Sequence, residues 1–401
     1  MANASDVSVS RPVPGIRLGT AQAGIKKKDR DDLLVIAADE GSTVAAVFTR
    51  NAFCAAPVIV AREHLASSPL WLVINSGNAN AGTGPKGLTD ARWSCDALAA
   101  LVGSEGSRVL PFSTGVIGEY LPTDKIAAGL PLAIADLSED HWDKAARAIM
   151  TTDTRPKLSS RSVDLSGFEV VVTGISKGAG MIQPNMATML SFVATNAQVA
   201  QADLQDLLSD AADRTFNCIT VDGDTSTNDA CVLMASGQSP KLVPGTEAFE
   251  AFSSAVHAVL ADLSEAIVRD GEGATKLIRI AVEGALDREE ARTVGKTIAH
   301  SPLVKTAFFA SDPNWGRILA AVGRAGCDGL VIENVAIWLD DVQIVEAGGR
   351  CASYTEEAGA KVMAQPEILI RVSLGRGDAS ETVLTCDFSY DYVRINAEYR
   401  T

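Results

Sequence analysis

The chain has 401 residues, 47% of them hydrophobic and 21% charged, with a formal net charge of −15. That length and apolar content predict more than one lobe with ample core. The acidic balance argues against a nucleic-acid surface, which needs a basic stripe, and no run approaches the roughly 18–20 apolar residues of a membrane span.

Seven widely spaced cysteines and four dispersed histidines offer no C-x-x-C and no metal-ligand spacing. Neither a disulfide framework nor metal chemistry is expected, and a reducing compartment fits. The opening MANASDVSVSRPVPG lacks a basic segment followed by an apolar one, so the expectation is a cytoplasmic chain and not an exported one.

Along the chain, short β-rich runs come first: 33–38 (LLVIAA), 42–49 (STVAAVFT), 57–61 (PVIVA) and 70–75 (LWLVIN), separated by Gly/Asn/Asp breaks. A polar glycine-rich loop then leads into a helix over 89–102. Strands follow at 169–175 and just after Thr188. Leu204, Leu207, Leu208, Ala211 and Ala212 recur at helical spacing within 203–216, and a longer helix is predicted over 246–269, ending at Asp270-Gly271. Beyond Lys276 the pattern gives a strand over 276–285, a helix at 287–299 and paired strands around Asp340-Asp341. A helix over 354–364 and two strands from 367 and 381 complete a mixed α/β chain rich in hairpins.

Several motifs tempt and fail. Gly82-Thr-Gly84-Pro-Lys-Gly87 spells G-x-G-x-x-G, but Ser76–Ala81 separate it from the preceding strand and Pro85 sits inside the turn. The segment 221–229 (VDGDTSTND) has three acids but not the order of a calcium loop, and reads better as an Asp-Gly turn with capping hydroxyls. No G-x-S-x-G occurs, which argues against Ser-His-Asp hydrolysis.

Ala187-Thr188 raises a different chemistry. A chain that cuts itself before a threonine frees an α-amine that can serve as general base for that residue's own hydroxyl. Such an amine has a pKa of about 7.7–8.0, close to operating pH. The turn at Gly178-Ala-Gly180 and Pro184 upstream suit a strained peptide there, although a threonine at a strand start is more often structural.

The stretch KGAGMIQPNMATML (177–190) does not stand alone. Together with STGVIG (113–118), MTTDTRPK (150–157), FNCITVDGDTSTND (216–229), DGEGATKL (270–277), SPLVKTAFFASDPNWGR (301–317) and VRINAEYRT (393–401), it resembles the ornithine acetyltransferase family. This resemblance runs from about residue 12 to the end. It implies a four-layer α/β/β/α sandwich, superficially like N-terminal-nucleophile hydrolases, with a smaller α/β lobe. It also implies an α chain of 1–187 forming the core, a β chain whose part 188–275 completes that core, a C-terminal lobe over 276–401, and an α2β2 assembly.

By the same resemblance, Thr188 is the cleavage site and nucleophile, and Thr114 and Gly115 form the oxyanion hole. Thr151, Lys177, Thr188, Glu272, Asn396 and Thr401 contact substrate, with Thr152 an alternative to Thr151. The implied reaction is ping-pong transfer of acetyl from N2-acetylornithine to glutamate in arginine biosynthesis. No cofactor is implied; acetyl-CoA as a co-substrate stays open. The residues alone also admit an N-terminal-threonine amidohydrolase or aminopeptidase, and a nucleotide-binding or non-catalytic α/β protein. The same transferase in a specialised-metabolite pathway would read alike.

Overall fold

The computed structural model describes residues 10–26, 29–165, 167–183 and 189–398. They divide into two compact units. The described parts of Met1–Gly178, Pro184–Asn217 and Thr225–Ile267 form the first, and those of Ala179–Gln183, Cys218–Asp224 and Val268–Thr401 the second.

The first unit runs β1 (Ile16–Ala21), β2 (Leu33–Ala38), β3 (Thr43–Phe48), α1 (Ala56–His64), β4 (Trp71–Asn78), α2 (Gly84–Val102), β5 (Val109–Val116), α3 (Thr123–Ala135), α4 (Trp142–Ala148), β6 (Lys157–Leu165), β7 (Phe168–Lys177), β8 (Leu190–Thr195), α5 (Gln201–Arg214), β9 (Ala230–Ala235) and the body of α6 (Glu247–Arg269). Its strands make two sheets, ordered β1-β2-β4-β5 and β3-β9-β8-β7-β6. β2 and β8 are buried at every position, as continuous apolar strands covered on both faces should be.

One face of each sheet meets the other. Leu34, Ile36, Leu72, Ile74 and Phe112 pack with Val44, Ile175, Phe192, Ala194 and Val232 in one cluster. The opposite face of the four-stranded sheet, with Val35, Val73 and Val109, lies under α1, α2 and α3 through Val60, Leu98 and Leu130. On the five-stranded sheet, Gly174 of β7 leaves room for Val259 and Leu263 of α6. The layers are therefore α/β/β/α.

Edge strand β3 is satisfied by α5, whose Gln201 and Gln205, one turn apart, each accept a backbone N–H and donate to a carbonyl of Val44 and Ala46. An edge strand's unpaired groups are thus covered from within.

The second unit contains β10 (Leu277–Ala285), α7 (Arg288–Ala299), α8 (Pro302–Phe309), α9 (Trp315–Gly323), β11 (Ala336–Leu339), β12 (Val342–Glu346), β13 (Gly349–Arg350), α10 (Glu356–Met363), β14 (Glu367–Ser373), β15 (Ala379–Cys386) and α11 (Tyr390–Ala397). Its sheet order is β13-β12-β11-β14-β10-β15. Val294 and Ile298 of α7, Phe308 of α8 and Ile318 of α9 close its core over Ile280, Val282 and Ile370.

Two expectations change. The run 57–61 is not a strand but lies in α1. Five apolar residues carry no period that separates strand from helix, and Pro57 in the first helical turn pre-sets φ where its missing N–H costs nothing. The helix expected at 89–102 starts earlier, at Gly84, so the glycine-rich loop itself enters the helix. α6 is long and apolar enough to cross a membrane by length and composition, although Glu250, Asp262 and Glu265 interrupt it. Half of its apolar window is nevertheless buried in the protein, and Phe252, Val259 and Leu263 are fully covered. It is a core helix.

Phe112 and Phe192 meet edge to face between the two sheets, with ring centroids 5.2 Å apart. Replacing Phe192 with Ala should lower unfolding free energy by about 3–5 kcal/mol, read as a fall in the denaturant midpoint at unchanged m-value.

Candidate active site

In the first unit, β4 and β5 run parallel, and their register slips at Gly77 and Asn78, opposite Thr114 and Gly115. Gly115 has φ +137°, and a Cβ there would collide with the backbone of Gly77. Only glycine can stand at that crossing. Thr114 is buried beside it.

The second feature of this unit is centred on Asp153, a residue the sequence did not single out. Its carboxylate accepts Lys157 Nζ at 2.5 Å, the Gly178 N–H at 2.7 Å and the Thr151 N–H at 2.9 Å. Burial alone would raise this carboxyl, but Lys177, Lys157 and the Gly178 N–H outweigh it and hold it down at about 2. Asp153 is therefore an anion that fixes the backbone of Thr151 and the residue following Lys177. Thr152 is half-buried beside Thr151.

Lys177 closes β7 opposite Leu190, the first residue of β8, and Leu190 pairs in turn with Ala230 of β9. Ala187 and Thr188 lie outside the described residues. Met189, which follows them in sequence, accepts the N–H of Ala230 through its carbonyl at 2.9 Å. Asp229, before Ala230, is buried, and its Oδ2 has no hydrogen-bond partner among the described residues. Burial pushes its carboxyl well above the usual carboxylate range, against hydrogen bonds from Ser226 and the charge of Lys177.

The second unit holds a separate group. Glu272 is buried, and Asn396 of α11 donates to its Oε2 at 2.9 Å. The Glu272 N–H donates to the Ala179 carbonyl at 2.8 Å, and a Cβ on Gly180 would overlap the Glu272 carboxylate. The acid-rich turn proves to be an anchor: Asp222 accepts the N–H groups of Met181, Ile182 and Asp224 at 2.6, 2.9 and 3.1 Å. Burial still raises its carboxyl against those three donors. Tyr392 lies against the same carboxylate, and burial together with Asp222 and its neighbouring acids pushes its phenol up. Thr401 lies outside the described residues.

The structure thus ties Thr151 to the Gly178 amide next to Lys177, and Glu272 to Asn396. Thr114 and Gly115 stand on the other sheet of the first unit. Asp153, Asp222, Asn228 and Asp229 were missed, although all four lie inside the motifs MTTDTRPK and VDGDTSTND. No cluster of three or more His, Cys, Asp or Glu side chains able to hold a metal occurs among the described residues.

The sequence pattern described as the ArgJ family matches residues 17–401. The arginine biosynthesis bifunctional protein ArgJ of Methylococcus capsulatus (strain Bath) is 69% identical over 401 residues, spanning 100% of this chain and 98% of that protein. A crystal structure of arginine biosynthesis bifunctional protein ArgJ from Bacillus halodurans is 42% identical with a TM-score of 0.50, covering 52% of this chain and 99% of that one. Ornithine acetyltransferase from Mycobacterium tuberculosis, solved in complex with ornithine, is 33% identical with a TM-score of 0.39, covering 45% of this chain and 95% of that one.

Asp153 supplies a stability test with a defined pH window. Its folded pKa lies below the unfolded value of about 3.9, so its contribution is present above pH ~4 and is lost as pH falls toward ~2. Asp153→Asn should cost about 3–5 kcal/mol at neutral pH, because it removes the carboxylate that faces the buried Lys157. Urea melts at stepped pH should show the gap to the parent protein narrowing below pH ~4.

Proposed function

The chain belongs to the ArgJ family, and from that membership we propose that it transfers an acetyl group from N2-acetylornithine to glutamate through an ester on Thr188. Self-cleavage after Ala187 gives an α chain of 1–187 and a β chain of 188–401. The new Thr188 α-amine takes the proton of its own hydroxyl, and Oγ attacks the acetyl carbonyl. The Thr114 hydroxyl and the Gly115 N–H hold the tetrahedral oxyanion, a service typically worth about 3–4 kcal/mol per donor. The C–N bond breaks, ornithine leaves with a proton, and the α-amine of glutamate attacks the acetyl ester to release N-acetylglutamate and restore the hydroxyl.

Roles follow for the remaining residues. Lys177 and Thr151 or Thr152 suit the α-carboxylate common to both substrates. Glu272 suits the side-chain ammonium of the ornithine moiety, with Asn396 and Thr401 completing the contacts. The reaction as written needs no cofactor, and acetyl-CoA is the second acetyl donor we assign to the bifunctional label of the relatives. The processed chains pair as α2β2 in the cytoplasm.

The observation that carries this reading is the convergence of motif residues at strand ends. Gly115 lies near the end of β5, Lys177 ends β7, and Met189, next after Thr188, leads into β8. Additional support comes from the relatives' lengths. The Bacillus halodurans chain is covered to 99% yet accounts for 52% of this one, as expected of one product of a precursor cut near its middle.

Two tests follow. Denaturing mass spectrometry should find a break between Ala187 and Thr188, abolished in Thr188→Ala, with transfer falling by roughly 10³-fold or more. Incubation with N2-acetylornithine should yield N-acetylglutamate only when glutamate is present; glutamate-independent ornithine release without N-acetylglutamate would make the protein an amidohydrolase. Separately, Gly180→Ala should displace the Glu272 carboxylate. It should lower kcat/KM for N2-acetylornithine by roughly 10–100-fold while cleavage still proceeds, as shown by steady-state kinetics on the processed protein.

A further inference from the structure

Asn228, the penultimate residue before β9, is 6% exposed and spends its whole amide on fixed partners. Its Nδ2 donates to the Ala79 carbonyl at 2.6 Å and to the Ser113 carbonyl at 2.9 Å. Its Oδ1 accepts the Thr227 hydroxyl at 2.6 Å. Two carbonyl partners identify the nitrogen side of the amide without ambiguity.

Those two carbonyls bracket Thr114 and Gly115. Ser113 immediately precedes them in β5, and its hydroxyl is tied to Asn75 Oδ1 at 2.6 Å. Ala79 in turn donates its N–H to the carbonyl of Val116, immediately after them, at 2.9 Å. One amide therefore holds both sides of the dipeptide, directly at Ser113 and through Ala79 at Val116. The same residue belongs to the strand start that pairs with Met189, because Ala230, two positions on, donates to the Met189 carbonyl. Asn228 thus links the end of one sheet to the end of the other where both turn polar.

We propose that Asn228 is a positioning residue for acetyl transfer, setting Thr114 and Gly115 at a fixed distance from the strand that follows the nucleophile. This rests on reading Thr114 and Gly115 as the oxyanion hole. A hydrogen-bond donor stabilises a developing oxyanion only when held within about 0.5 Å of the productive position, and neither residue has a side chain long enough to correct a shift of its own strand. An alanine at 228 leaves two buried carbonyls without their donor, and an aspartate faces them with negative charge.

The test is a double-mutant cycle of Asn228→Ala and Thr114→Ala, read as kcat and KM of the mass-verified cleaved fraction and as the self-cleavage rate of fresh precursor. Asn228→Ala should reduce kcat by roughly 10–100-fold with KM for N2-acetylornithine within about two-fold, and Asn228→Asp should lose at least as much. In the Thr114→Ala background the same change should add less than about two-fold, since a residue acting through the hole has nothing left to position. A variant that cannot cleave itself is read in the same cycle by its self-cleavage rate. Where Asn228→Ala does not fold, judged by its melting transition, Asn228→Ser enters the cycle in its place. Full additivity, or an unchanged kcat and self-cleavage rate in the folded variant, overturns the proposal. A Thr114→Ala protein whose kcat stays within about two-fold of the parent's overturns the oxyanion reading instead, so the two failures are told apart.

Discussion

Everything chemical in the first unit depends on two sheets having to bury their faces against each other. An apolar interlayer built on Phe112, Phe192, Ile74 and Val232 cannot extend to the strand ends, where backbone and polar groups must find other partners. The residues change type where the interlayer stops. β4 passes from Leu72–Ile74 to Asn75-Ser76-Gly77-Asn78, and β5 from Phe112 to Ser113-Thr114-Gly115. β7 passes from Ile175 to Ser176-Lys177, while β9 is preceded by Asn228-Asp229. Pairing decides that these switches share one end within each sheet. β4 and β5 are parallel, so their C-termini coincide. β7 is antiparallel to β8, which is parallel to β9, so the C-terminus of β7 lies beside the N-termini of the other two. The Asn228 amide shows that the two polar ends face each other. The site is what the sandwich leaves where its core runs out.

Buried acids near that end meet opposite fates for a physical reason. Asp153 has two lysines and two backbone N–H groups around it, and that concentration of positive charge and donors overcomes desolvation. Asp229 has the hydrogen bonds of Ser226 and the charge of one lysine, and its Oδ2 has no partner among the described residues, so burial dominates. One carboxylate thus serves as a counter-charge that orders the Thr151 backbone and the Lys177–Gly178 turn. The other, beside the strand start of β9, is pushed upward by burial.

What could be read in advance divides along sequence distance. α5 and α6 were legible because their apolar positions recur every three to four residues, and the hairpin of β11 and β12 because Asp340-Asp341 marks its turn. The run 57–61 was not, because a proline in a first helical turn and a strand-like apolar run look identical without knowing what they pack against. Among site residues, those carried by recognisable motifs could be named, but the groups that position them could not. Asp153 reaches Gly178 over 25 positions, and Asn228 reaches Ser113 over 115 and Ala79 over 149. No local pattern encodes such partners. The composition of VDGDTSTND pointed to a turn, and a turn it is. Its carboxylate and amide work on segments that only the fold brings near.

The second unit bears on how a cut chain could stay whole. Residues Ala179–Gln183 precede Ala187, yet they belong to this unit, most of which follows in sequence. Their hold is substantial: Ala179 accepts the Glu272 N–H, Met181 and Ile182 donate to Asp222, and the Ile182 carbonyl accepts the Val221 N–H and the Thr220 hydroxyl. A cut after Ala187 would leave this short segment as the tail of the upstream product, embedded in structure made by the downstream one. β8, β9 and α5, all downstream, likewise complete the first unit, built otherwise from upstream strands. Each product then contributes to both cores, so neither can leave without exposing apolar surface and breaking buried hydrogen bonds. A break at 187–188 would therefore leave both products held together by shared sheets and buried hydrogen bonds.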